Sequence, residues 1–209
     1  MTTFLLIRHA LCDPVGKAIA GRAPGVHLNA EGRAQAARLA ARLASLSISA
    51  IYSSPLERAM ETAEPLAHQL GLSVVPAAGL NEVDFGDWTG RTLAELDQLP
   101  EWRLFNSSRG STRIPNGETM DEVLTRATGI LEDIRKRAAG AGQLVAAISH
   151  GDVLRSVLVH SLGASLDLIQ RIEIAPASVS VLAFRGGAPR VLLLNWAGRW
   201  PEEVISPGG

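Results

Sequence analysis

The chain opens on an apolar run, Thr3 to Arg8, of a length that suits a buried strand better than a helix. Asn29 then stands where a helix cap belongs, and Ala36, Leu39, Ala40 and Leu43 follow at helical spacing. Ala50 to Ser53 reads as a second strand, and Pro55 suits the first turn of a helix that runs to about Leu70 and stops at Gly71. Leu72 to Pro76 is a further strand and Thr92 to Leu99 a short helix. Thr119 and Glu122 make a capping box ahead of a longer helix that reaches about Ala139. Gln143 to Ser149 is a strand and Gly151 to Leu162 a helix. Ile172 to Ala175, Ser178 to Arg185 and Arg190 to Asn195 read as strands, the last two joined as a hairpin through Gly186 and Gly187. Strands alternating with helices predict an α/β fold: a three-layer sandwich with a mostly parallel central sheet and helices on both faces.

Between the helical patterns, Asn106 to Gly117 lacks periodicity and is rich in Ser, Arg, Gly, Pro and Asn, so it is expected to be a loop, either a lid or substrate loop or a plain surface connection. The tail after Trp200, ending in SPGG, is expected to fray. No repeat or linker divides the 209 residues, so residues 1–209 are read as one domain. A hydrophobic fraction of 46% against 20% charged residues excludes a disordered or coiled-coil chain. Aromatics are only 4%, so Leu, Val, Ile and Ala must build the core.

Charge narrows the function classes. Lys plus Arg number 20 against 21 Asp plus Glu, a net charge of -1, which gives no long-range attraction to nucleic acid or anionic lipid. No nucleic-acid or membrane partner is expected, and any anion must be held by a local cluster. Cys12 is the lone cysteine, which rules out an internal disulfide and a multi-cysteine metal site. No basic segment precedes the Phe4 to Ile7 run, and no apolar stretch approaches the roughly 18 residues of a membrane span, so a cytoplasmic protein is expected.

Ligands of open α/β sheets lie beyond the carboxyl ends of the strands. Three such ends carry unusual residues: Arg8-His9, Ser53-Ser54-Pro55 leading to Arg58, and His150-Gly151. No acidic cluster accompanies them, so no metal is expected. Guanidinium forks match phosphate oxygens bidentately, and the amides that open the helix after His150 add donors and a favourable dipole. A histidine among arginines resists protonation and stays nucleophilic near neutral pH. Glu82, Asp84 and Asp87 are equally available carboxylates on this reasoning. Gly16-Lys17 superficially suggests a phosphate loop, but Leu11 and Ala18 occupy the positions that would need Gly and Ser or Thr.

These residues fall in five ordered blocks: LLIRHA (5–10), AGRAPGVHLNAEGRAQA (20–36), YSSPLERAMETA (52–63), LNEVDFGDWTG (80–90) and SHGDVLR (149–155). In order and spacing the blocks resemble the histidine phosphatase superfamily, in its phosphoglycerate mutase-like branch. The resemblance implies that His9 is a nucleophile that becomes phosphohistidine, that Arg8, Arg58, His150 and Gly151 hold the phosphoryl group, and that Glu82 is the general acid. It also implies that Arg22 contacts phosphate or a substrate anion at the mouth. The chain departs from the pattern at Ala10, where Gly is most frequent, and lacks an Asn in the Asp13–Lys17 stretch.

What the resemblance implies is a phosphomonoesterase that needs neither metal nor cofactor and acts on a small phosphorylated metabolite, with a homodimer suggested by family habit. Phosphoglycerate mutase, with 2,3-bisphosphoglycerate as its cofactor, is the alternative. It is disfavoured because only Val83 to Ser149 separates Glu82 from His150, shorter than in the mutases resembled. A non-catalytic phosphate-binding scaffold is the alternative of another class, and the presence of all five reactive residues argues against it. His27, His68 and His160 lie outside the motifs and are expected on the surface or in helix packing; Glu118, in PNGET, is expected to favour a helix N-terminus. Trp88 and Trp102 are expected either to wall the site or to sit in the core.

Overall fold

Successive residues of a strand face opposite sides of its sheet, and in β1 (Thr2–Arg8) both sides are apolar. Phe4 and Leu6 enter one core cluster while Leu5 and Ile7 enter the other. A strand of that kind has to lie between two layers of helices. The computed structural model describes residues 1–137, 142–186 and 188–198 and places β1 in the interior of a six-stranded sheet, ordered β3-β2-β4-β1-β5-β6.

β2 (Ile48–Ser53), β3 (Val74–Pro76) and β4 (Gln143–Ser149) run parallel to β1, whereas β5 (Val179–Phe184) runs against β1 and against β6 (Arg190–Trp196). Helices α1 (Ala30–Leu43) and α2 (Glu57–Leu70) bury Leu39, Leu43, Ala63 and Leu66 on the Leu5 face. On the opposite face pack α5 (Met120–Arg137) and α6 (Gly151–Ser161), with α3 (Leu93–Leu96) and α4 (Pro100–Ser107) contributing Leu96, Trp102 and Phe105. The expected α/β sandwich is therefore the fold. The expected caps form as well: Asn29 Oδ1 accepts from Gly32 N at 2.8 Å, and Thr119 and Glu122 exchange both bonds of the capping box. Among the described residues no helix is long and apolar enough to cross a membrane.

Several expectations are corrected. Ile172–Ala175 is not a strand, because its backbone bonds are committed to side chains: Ile172 O and Ile174 O accept from Arg155 and Arg8, and Ala175 N donates to Asn195 Oδ1. Pro55 precedes α2, which starts at Glu57 and carries Pro65 in its interior instead. Helix α4 went unforeseen and takes Asn106 and Ser107 out of the expected loop; Pro100 opens it, and Trp102 and Phe105 are buried one turn apart. Three short 3₁₀ turns, at Ala78–Leu80, Gly86–Trp88 and Leu166–Arg171, also carried no periodic signal. Ala138 and Ala139, Gly187 of the expected hairpin turn, and the tail after Trp200 lie outside the described residues.

Candidate active site

Register brings the three unusual strand ends together. Arg8 of β1 sits opposite Ser149 of β4, and Ser53 of β2 opposite Ile148. His9, His150 and Ser54 therefore leave the sheet side by side, held by His9 N donating to Ser149 O and Ser54 N donating to Ile148 O, each at 2.9 Å. A cavity of about 320 Å³ opens at this edge. Arg8, His9, Arg58, Glu82 and Gly151 line it, with His150 fully buried alongside and its ring centroid 5.1 Å from that of His9.

His9 Nδ1 lies 2.7 Å from the Ala10 carbonyl, which can only accept, so Nδ1 carries the ring proton and Nε2 keeps its lone pair. Burial, then the charges of Arg58 and Arg8, lower its pKa to about 3 against the weaker pull of the Ala10 bond. The imidazole is neutral throughout the physiological range. Burial, followed by the neighbouring His9 and arginines, likewise holds His150 well below the ordinary histidine value.

The donors around His9 are only partly used. Arg58, in the first turn of α2 and 1% exposed, donates Nη2 to Gly21 O at 2.8 Å, while its Nη1 has no partner among the described residues. Arg8 donates Nη1 to Ile174 O at 2.6 Å and leaves Nε without one. Burial lowers the Arg8 pKa, against the attraction of Glu82. His150 contacts Ser54 Oγ through Nε2 at 2.9 Å, and its Nδ1 has no hydrogen-bond partner among the described residues and lies 3.7 Å from Glu82 Oε2. A buried donor left unsatisfied costs about 1 to 3 kcal/mol, so the open Arg8 and Arg58 N–H groups suit an anion with several acceptor oxygens. Gly151 opens α6 against Arg8: a Cβ there would stand 3.3 Å from the guanidinium carbon, so only glycine admits this packing comfortably.

Glu82 comes from an irregular segment, not from the sheet. Its Oε1 accepts from Val83 N at 2.9 Å, and burial raises its pKa, with Arg58 opposing and Asp152 adding to the rise. Asp84 and Asp87 do not line the cavity. Arg22 does not line it either: its guanidinium donates to Glu82 O at 2.8 Å and pairs with Glu118 at 2.9 Å. Lys17 is exposed, and His27, His68 and His160 are exposed as well, His27 being paired with Glu61. Trp102 walls the cavity, whereas Trp88 is core, edge-on to Trp102 at 5.2 Å.

The wall facing His9 holds residues that the sequence reading missed. Arg109 donates to Asp152 at 2.6 Å and to Asn106 at 2.7 Å, and Arg155 donates to the other oxygen of Asp152 at 3.0 Å. Burial would raise the Asp152 pKa, but Arg109 and Arg155 outweigh it and keep the carboxylate ionised. The Asp152–Arg155 pair was legible as an i, i+3 pair on α6; Arg109, 43 positions away, offered no local signal.

The family model of the histidine phosphatase superfamily (branch 1) matches residues 4–197. The chain is 31% identical over 199 residues to phosphoserine phosphatase 1 of Hydrogenobacter thermophilus, covering 93% of this chain and 92% of that one. Among solved structures it superposes on Bacillus stearothermophilus YhfR with a TM-score of 0.87 at 28% identity, covering 93% of this chain and 97% of that chain. It also matches a mycobacterial glucosyl-3-phosphoglycerate phosphatase in complex with VO3, with a TM-score of 0.83 at 26% identity, covering 92% and 98%.

Proposed function

Because the chain belongs to the histidine phosphatase superfamily, we propose that it is a metal-independent phosphomonoesterase that hydrolyses a small phosphorylated metabolite through a phosphohistidine on His9. The observation that carries the reading is the neutral His9 ring, its Nε2 lone pair free, beside buried guanidinium N–H groups of Arg8 and Arg58 that lack partners among the described residues. The two positive side chains supply the charge stabilisation that a metal supplies in other phosphatases. The phosphatase names of the Hydrogenobacter and mycobacterial relatives support hydrolysis as the reaction; they name different esters, so the leaving alcohol is left open.

The chemistry runs in two displacements. His9 Nε2 forms a bond to phosphorus as the ester P–O bond breaks, and protonated Glu82 gives its proton to the departing alkoxide. Glu82, now a carboxylate, takes a proton from water, whose oxygen bonds to phosphorus as the N–P bond breaks, releasing orthophosphate and restoring neutral His9. The raised Glu82 pKa favours the protonated form the first step requires.

The test is phosphate release from para-nitrophenyl phosphate in EDTA, with 3-phosphoglycerate assayed in parallel. Steady phosphate release supports the reading. Rapid isomerisation of 3-phosphoglycerate with negligible phosphate would mark a mutase, and no turnover of any ester a binding scaffold. Arg58→Gln is expected to lower kcat/KM about 100- to 1,000-fold, the usual cost of one donor to a developing oxyanion. A thermal melt run alongside reports what the lost Gly21 bond does to the fold.

A further inference from the structure

Glu82 sits where no strand or helix fixes it, yet four consecutive carbonyls around it, from Gly79 to Glu82, each accept a hydrogen bond from a side chain. Ser149 holds Leu80 O at 2.7 Å from the end of β4, one residue before His150. Arg126, on α5, holds the other three: Nη1 donates to Gly79 O at 3.0 Å and to Asn81 O at 2.6 Å, and Nη2 to Glu82 O at 3.0 Å. Its remaining two N–H groups go to Glu118, Nε to Oε1 at 2.8 Å and Nη2 to Oε2 at 2.9 Å. All five donors of one guanidinium are thereby used.

Glu118 closes the arrangement. The same Oε2 accepts from Asp84 N at 2.9 Å and pairs with Arg22, which donates in turn to Glu82 O. The segment is also pressed onto α5, since a Cβ on Gly79 would come within 2.7 Å of Ile130 Cβ. Burial pushes the Glu118 carboxyl up, but the bonds from Arg126 and the Asp84 amide, with the charges of Arg126 and Arg22, hold it below its ordinary value. Helix capping does not require so many contacts: the cap of α5 is formed by Thr119 and Glu122 alone. An acid that must meet a leaving oxygen needs its backbone held to within about 0.5 Å, and on an irregular segment that restraint has to come from side chains.

We propose that the Glu118–Arg126 pair, with Arg22, is a positioning device that fixes the Glu82 backbone so that its carboxyl reaches the leaving-group oxygen. The inference rests on the reading of Glu82 as general acid. None of the three lines the cavity, so their effect is expected in the steps in which Glu82 gives or takes a proton.

The experiment compares kcat/KM for para-nitrophenyl phosphate, whose leaving group needs no proton, with that for a primary alkyl phosphate, whose leaving group does. Four variants are measured: Glu118→Gln, Arg126→Lys, Glu82→Gln and the Glu82→Gln/Glu118→Gln double. Arg126→Lys keeps the charge and discards the fork, and serves if Glu118→Gln does not fold. The positioning variants are expected to lose about 10- to 100-fold on the alkyl ester, less than removal of the acid itself, and under about threefold on the nitrophenyl ester. In the double variant Glu118→Gln is expected to add no further loss, because the acid it positions is gone. Equal losses on both esters, or full additivity in the double, would overturn the proposal while leaving the acid in place. If Glu82→Gln itself shows no preference between the esters, the acid assignment fails and the positioning role falls with it.

Discussion

Replacing His9 with Gln is expected to lower kcat/KM for para-nitrophenyl phosphate by roughly 10⁴- to 10⁶-fold, the scale on which an enzyme loses its covalent nucleophile. Gln can still donate to the Ala10 carbonyl from a similar position, and His9 carries no charge in the folded protein, so the substitution removes the attacking lone pair without breaking an ion pair. A fold control follows from the same titration. Histidine titrates near 6.5 in an unfolded chain, and His9 near 3 in the folded one. Between those values the unfolded state binds the extra proton, so stability is present above pH 6.5 and is lost as pH falls toward 3. His9→Gln removes that share, and its denaturation midpoint is expected to change less between pH 7 and pH 4 than that of the wild type, other buried groups being common to both. Activity within about tenfold of wild type would remove His9 from the nucleophile's position.

Why the arginines and histidines were readable, and the positioning residues were not, is a matter of sequence separation. Arg8, His9 and His150 stand directly at the ends of strands whose apolar patterns are local, and parallel registration of β1 with β4 does the rest. The Asn29 cap and the Thr119 box are likewise short-range chemistry, which a window of a few residues contains. Arg126 is different: it reaches 44 positions back to Glu82, and nothing in its own helical turn marks it apart from a surface arginine. The same holds for Arg109, whose partner Asp152 lies on another element. Arg22 was placed with the phosphate on family pattern, while its guanidinium turns to Glu118 and the Glu82 carbonyl. Ile172–Ala175 had a strand's composition, but Arg8 and Arg155 take the carbonyls a ladder would have used. Local pattern fixes elements and their ends; buried ionic contacts between distant segments become visible only once the sheet has brought them together.

Glu82→Gln is expected to lower kcat/KM for a primary alkyl phosphate about 100- to 10,000-fold, with a far smaller loss on para-nitrophenyl phosphate. The direction of its titration gives a second signature. Burial, reinforced by Asp152 and opposed by Arg58, raises the Glu82 pKa above 4.5, so the proton stays on to a higher pH than an ordinary carboxyl would keep it. On the alkyl ester the wild-type rate should fall as pH rises through that raised value, and the Gln variant should lack this limb at its lower level. Stability runs the opposite way to function. In the window from 4.5 up to the raised value the folded protein binds more protons than the unfolded chain, so stability is lost as pH rises, and a neutral amide escapes that loss. Glu82→Gln should therefore be at least as stable as wild type at pH 7 while being the poorer catalyst. A basic limb that survives in the Gln variant would assign the proton to another group. A variant that lost activity together with stability at pH 7 would mean that the carboxyl holds the segment and does not protonate the leaving group.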